Sequence, residues 1–226
     1  MRALSALILP AFDAELLAAV PSTVTRITLL ADTLPFAIFD DFLAAPARAR
    51  LTHLALPNFV GVPPAADDVP SAAAPRLAVL DGSPGLAAAL APGRPLRRVT
   101  LRIASTLYDG LRPAALFSAL GGELKELVLV LAPGVDVRTR GRLLGALANT
   151  GAGLEILELN LEGISNEVRD CSPPLPQSPL FAPLGSALIA LCDNLGLVAS
   201  AVQAGRFLVA ERAGAPYAPP SGDSGN

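Results

Sequence analysis

Residues 96–101 run Leu-Arg-Arg-Val-Thr-Leu, residues 124–129 run Leu-Lys-Glu-Leu-Val-Leu, and residues 154–159 run Leu-Glu-Ile-Leu-Glu-Leu. All three share one form: apolar, two residues, apolar, one residue, apolar. In a strand, successive side chains point to opposite faces, so the last two apolar residues of each copy point into a core and their neighbours point out.

Working outward, the same form recurs at Leu4-Leu7-Leu9, Val24-Ile27-Leu29 and Leu51-Leu54-Leu56. A weaker copy is Leu77-Leu80, with Gly82 in the last slot. The copies start at 4, 24, 51, 77, 96, 124 and 154, in steps of 20, 27, 26, 19, 28 and 30. These steps scatter about the leucine-rich-repeat period of roughly 20–29 residues.

The intervening segments are rich in Ala and Leu: Phe12 to Val20, Phe36 to Ala45, Leu86 to Ala91, Pro113 to Leu120 and Thr139 to Ala148. In Ala115-Leu116-Ala119-Leu120 and Leu143-Leu144-Leu147 the apolar residues fall at helical spacing. Pro113 suits a helix first turn, and Gly121-Gly122 and Gly151 suit helix ends. Each unit is therefore expected to be strand, turn, helix and return. One strand and one helix cannot bury their apolar faces alone, but stacked neighbours can. The expected fold class is α/β: an irregular leucine-rich-repeat-like solenoid with parallel strands on one face and helices on the other.

The repeats are expected to span residues 1–163, in about seven units, interrupted by a Pro-rich loop from Pro57 to Pro75. A Pro-rich linker is expected over 164–183, a helical cap or extension over 184–212, and a disordered Pro/Gly/Ser tail over 213–226.

Composition narrows the function. Hydrophobic residues make up 52% of 226 residues and charged residues 16%, which excludes wholesale disorder. A net charge of −3 gives no general pull toward nucleic acid, so none is expected as a partner. Cys171 and Cys192 form neither a disulfide framework nor a metal spacing. The first residues imitate a signal peptide, but Asp13 and Glu15 intrude where a cleavage region should be neutral. The apolar run from Leu180 to Ala210 is broken by Pro183, Gly185, Asp193 and Asn194, so no membrane span is expected. The expected location is cytoplasmic or nuclear.

A search for chemistry finds little. His53 is the only histidine and lies at a variable strand position without a nucleophile motif near it. Asp40-Asp41 and Asp67-Asp68 are adjacent pairs without further ligands. Leu80-Asp81-Gly82-Ser83-Pro84-Gly85 lacks the Lys-Ser/Thr pair of a phosphate loop and is better explained as a turn into the next helix. No catalytic residue, metal site or cofactor is expected.

What remains is the outward side of the strands. Thr25, Arg26 and Thr28, then Thr52, His53 and Ala55, should face out. So should Arg97, Arg98, Thr100 and Arg102, then Lys125, Glu126 and Val128, then Glu155, Ile156, Glu158 and Asn160. Adjacent parallel strands would carry charge from basic at Arg97, Arg98 and Arg102, through Lys125 and Glu126, to acidic at Glu155 and Glu158. Such a face could orient a charged protein partner. The plainer alternative is that these charges keep the face solvated, with Arg98 or Lys125 paired to Glu126. Arg138, Arg140 and Arg142, beside Asp136, are expected on a solvated helix face.

Three phrases carry a resemblance: LAVLDGSPGLAAALAPGRPLRRVTLRI from Leu77, STLYDGLRPAALFSALGGELKELVL from Ser105, and RGRLLGALANTGAGLEILEL from Arg140. From Leu77 to Glu162 the chain resembles the leucine-rich-repeat-like region of F-box-type proteins of mushroom-forming fungi. The resemblance implies a substrate-presenting surface and, through an F-box, docking on the Skp-type adaptor of a cullin ubiquitin ligase. No F-box pattern is found in this chain, so that adaptor is an expected partner only if an F-box exists upstream. The expected function is thus a non-enzymatic protein–protein interaction scaffold, the substrate-recognition part of an F-box-like ubiquitin-ligase adaptor. The alternatives are an α/β enzyme of unrecognised type, or a truncated F-box protein fragment without independent function.

Overall fold

The computed structural model describes residues 4–10, 14–32, 36–59, 69–70, 72–104, 112–132, 134–150, 153–160, 197–203 and 207–212. The first seven strands are β1 (Ala6–Leu9), β2 (Arg26–Leu29), β3 (His53–Ala55), β4 (Val79–Gly82), β5 (Arg98–Ile103), β6 (Glu126–Leu131) and β7 (Ile156–Asn160). They lie side by side in chain order, each parallel to the last, in one open sheet. This is an α/β protein, and every copy of the sequence pattern contributes one strand.

Register follows the pattern. Leu7, Ile27, Leu54, Leu80, Val99, Leu127 and Leu157 form one continuous row across the seven strands. Leu101, Leu129 and Leu159 form part of a second row. Along β5 burial alternates strictly, with Val99, Leu101 and Ile103 buried and Arg98, Thr100 and Arg102 half-buried. The apolar rows join the helices in a single core.

Strand entry is built the same way six times. The two N–H groups that open each new strand both donate to one carbonyl of the strand before. Thr25 and Arg26 donate to Ser5, Thr52 and His53 to Thr25, and Ala78 and Val79 to Thr52. Arg97 and Arg98 donate to Ala78, Lys125 and Glu126 to Arg97, and Glu155 and Ile156 to Lys125. The two-residue gap in the sequence form is this doubled contact, which leaves both intervening side chains clear of the core.

The helices between strands are α1 (Ala14–Ala18), α2 (Phe36–Ala44), α3 (Pro84–Leu90), α4 (Pro113–Leu120) and α5 (Val137–Thr150). A 3-10 helix, Pro46–Arg50, leads into β3. Pro113 opens α4 as expected, and Gly121 ends it at φ 73°, a value that favours glycine. Ser83 caps α3 by accepting from Leu86 N–H at 3.3 Å. Asp136 opens α5: its carboxylate accepts from Thr139 N–H at 2.9 Å and Thr139 Oγ1 at 2.6 Å. α3 packs on β4 and β5 and against α4, and α4 packs against α5. Leu86, Leu90, Leu116, Phe117, Leu120, Leu143, Leu144 and Leu147 project from these helices into the strand core. The helices therefore cover one face of the sheet.

Two buried cations tie the connections together. Arg48 donates to Leu17 O at 3.0 Å, in the last turn of α1, and to Val20 O at 2.9 Å, just beyond it. Its guanidinium lies 4.7 Å from the Phe42 ring centroid. Arg94 donates to Leu90 O at 2.8 Å, Ala73 O at 2.9 Å, Pro70 O at 2.9 Å and Pro92 O at 3.1 Å. One planar fork thus satisfies the end of α3 and the β3–β4 connection together. Burial pushes both guanidinium pKa values below their ordinary one.

The end of the chain corrects one expectation. A helical cap was expected over 184–212. Over its described residues, 197–203 and 207–212, the structure instead has strands β8 (Leu197–Gln203) and β9 (Phe207–Arg212), and 184–196 and 204–206 lie outside the described residues. β9 pairs antiparallel with β7, from Asn160↔Phe207 to Ile156↔Glu211, and β8 pairs antiparallel with β9. The reason is the free edge of β7: its unpaired N–H and C=O groups are best met by an extended segment, and Phe207-Leu208-Val209 has strand-favouring side chains. The expected linker over 164–183, the tail over 213–226, Gly151 and much of the Pro57–Pro75 loop lie outside the described residues.

Candidate interaction face

The opposite sheet face has no helix against it among the described residues. Its side chains form rows set by the strand register. One row is Ala6, Arg26, His53, Val79, Arg98, Glu126 and Ile156. The next is Ile8, Thr28, Ala55, Asp81, Thr100, Val128 and Glu158. A shorter one is Arg102, Val130 and Asn160. Each row crosses the strands at about 4.8 Å per step.

The structure gathers all seven residues singled out from sequence on this side or at its entry. Most of their charge is matched internally. Arg98 Nη1 lies 3.3 Å from Glu126 Oε2, both side chains 39% exposed. Lys125 Nζ lies 2.8 Å from Glu155 Oε1. Arg102 makes a two-pronged pair with Asp81, Nε–Oδ1 2.7 Å and Nη2–Oδ2 2.9 Å. Arg97 is exposed and Glu158 half-buried, and the structure shows neither in an ion pair among the described residues.

The plain charge gradient expected across the sheet is therefore reduced. Arg98 takes Glu126 as the alternative anticipated, while Lys125 takes Glu155, which occupies the same position in the next copy. Reading residues 80–85 as a turn leaves Asp81 out of the face. Aligning the copies finds it: Asp81 sits one place after Leu80, as Thr100 follows Val99 and Val128 follows Leu127. On this face Arg26 and Arg97 remain as exposed cations in no ion pair among the described residues.

His53 sits in the first row beside Arg26. Thr52 Oγ1 donates to Thr25 O at 3.1 Å and lies 2.8 Å from His53 Nδ1. The Thr52 hydroxyl thus stands between the Thr25 carbonyl and the imidazole and holds the ring in place. Burial lowers the imidazole pKa, and the nearby positive charges of Arg26 and Arg98 lower it further.

Among the described residues no group of three or more His, Cys, Asp or Glu side chains could hold a metal ion. No described helix is long and apolar enough to cross a membrane. Protein-family models, curated proteins and solved structures contain no match to this chain.

Proposed function

We propose that this chain is a protein-interaction scaffold without catalytic activity, a leucine-rich-repeat-like solenoid whose open strand face holds a partner. The observation that carries this reading is the division of the sheet: helices bury one face, and the other presents in-register rows of polar and charged side chains. The sixfold repeated strand entry supports the solenoid, since each unit meets its neighbour in the same way. The sequence resemblance supports a setting as the substrate-recognition part of an F-box-like ubiquitin-ligase adaptor in the cytoplasm or nucleus.

The test is affinity capture with the native chain and with the double substitution T100K and V128K. Both residues are half-buried on the bare face, and no ion pair involves either. The reading expects captured proteins to be lost while the far-ultraviolet circular dichroism spectrum is kept. Retention of every captured protein by the folded variant contradicts it. Recovery of a Skp-type adaptor with the native chain would support the ligase setting.

A further inference from the structure

The exposed positive side chains are not spread evenly over the bare face. Arg26 on β2 and Arg98 on β5 share one row, with His53 and Val79 between them. Arg98 is paired with Glu126 at 3.3 Å, and Arg97 beside it is exposed and in no ion pair among the described residues. Three strand spacings separate the two ends, about 14 Å. An extended peptide covers about 13–14 Å in four residues, and residues i, i+2 and i+4 project from the same side. The two cationic ends thus match side chains four residues apart.

We propose that this row seats an extended acidic segment of a partner protein, laid across the strands, with carboxylates four residues apart over Arg26 and over Arg97, beside the Arg98–Glu126 pair. The residue midway between them faces His53 and Val79. A small polar side chain such as Ser, Thr or Asn there can hydrogen-bond the imidazole. Register and direction have physical limits. Beyond β5 the charges of Glu126 and Glu155 are met by Arg98 and Lys125, and Glu158 is the acidic side chain in no ion pair among the described residues, so a further carboxylate gains nothing there. The net charge of −3 and this lack of further cations disfavour a nucleic-acid strand, which would carry its charge across the whole face. This inference rests on the interaction-scaffold reading and names the partner's chemistry.

The test uses the full chain and fluorescence anisotropy with three short labelled peptides on a Ser/Gly background. One has two glutamates four residues apart, one has them adjacent, and one has lysines in place of the spaced glutamates. The spaced acidic peptide should bind tightest. The charge reversal R26E with R97E should weaken it by about tenfold or more, with unchanged thermal unfolding. Both residues are exposed, so the fold should tolerate the change. Binding that is absent, indifferent to spacing, or unchanged by the reversal overturns the proposal. So does equal binding of a labelled single-stranded oligonucleotide.

A photo-crosslinking side chain in place of Thr100 on the bare face, or of exposed Arg142 on helix α5, separates the acidic-segment proposal from the scaffold reading. A captured protein crosslinked from Thr100 but unaffected by R26E with R97E overturns the acidic-segment proposal and leaves the scaffold reading standing. Crosslinks from Arg142 alone sink both.

Discussion

Arg102 on β5 reaches across to Asp81 on β4 and holds both carboxylate oxygens, at 2.7 and 2.9 Å. The two residues stand two residues out of register, on adjacent rows of the same face, since Asp81 is opposite Thr100. The planar fork of arginine fits this diagonal, and lysine would offer only a single point of charge. The side chains are 36% and 23% exposed, so water screens part of the attraction.

A double-mutant cycle with D81A and R102A should therefore give a coupling of roughly 1 kcal/mol, at the upper end for surface pairs. R102K should lose most of it. Chemical denaturation of the four proteins measures this, and a coupling indistinguishable from zero would show that the pair contributes nothing to stability.

Core rows should be far less tolerant. Leu127 and Leu157 are both 0% exposed and lie opposite each other in β6 and β7. Leu127→Ala or Leu157→Ala should cost about 2–5 kcal/mol, through lost apolar burial and the cavity left behind. Val128→Ala, one residue away on the bare face, should cost well under half as much. Equal losses at 127 and 128 would mean the two faces are not distinct.

Arg94 gives a different kind of prediction. Removing its fork strands the carbonyls of Leu90, Ala73 and Pro70 that it now satisfies. Arg94→Ala should destabilise by about 2–4 kcal/mol, since buried acceptors left unmade are costly. Arg94→Lys should recover only part, because one ammonium cannot reach all of these carbonyls. Urea denaturation distinguishes the three proteins, and full rescue by lysine would contradict the role given to the fork.

How much of this was legible in sequence varies with the residue. The apolar spacing located all seven parallel strands, because a buried row must repeat its side chains at the same place in every copy. Even the weak fourth copy obeys a packing rule: a Cβ at Gly82 would lie 3.0 Å from Leu86 Cδ2, so α3 fills the slot that leucine takes elsewhere. Pro113 to Leu120 was bounded by its own start and stop residues and matches α4. The face was legible as positions but not as pairs. Lys125 chose Glu155 over its neighbour Glu126, which depends on side-chain reach across a strand gap. Arg48 and Arg94 went unnoticed because their partners are backbone carbonyls, which leave no mark in a sequence. β8 and β9 were missed because Leu184 to Ala210 is apolar enough for either periodicity, and what decides is the distant open edge of β7.

His53 offers a titration test. Its imidazole should titrate below the ordinary value near 6.5, for reasons of burial and of the charges on Arg26 and Arg98. The folded protein thus resists protonating it, while the unfolded chain does not. Stability from this group is full above the unfolded pKa and is lost as pH falls through it toward the folded one. Arg26→Ala should move the folded pKa upward, and proton NMR of the lone histidine reads this directly. A pKa that stays put on removing Arg26 would contradict the placement of that cation beside the ring.

Successive copies lie as neighbouring parallel strands and leave one face without a helix against it among the described residues. Engineered disulfides test this arrangement most directly, in a background with Cys171 and Cys192 replaced by serine. Thr100, Val128 and Glu158 are consecutive in one row of that face. Cysteines at 100 and 128, or at 128 and 158, should oxidise readily to an intramolecular bond. Cysteines at 100 and 158, two strand spacings or about 10 Å apart, should not, because a disulfide needs Cα atoms within about 7 Å. Crosslinking of 100 to 158 in preference to either neighbouring pair would contradict the strand order and the face built on it.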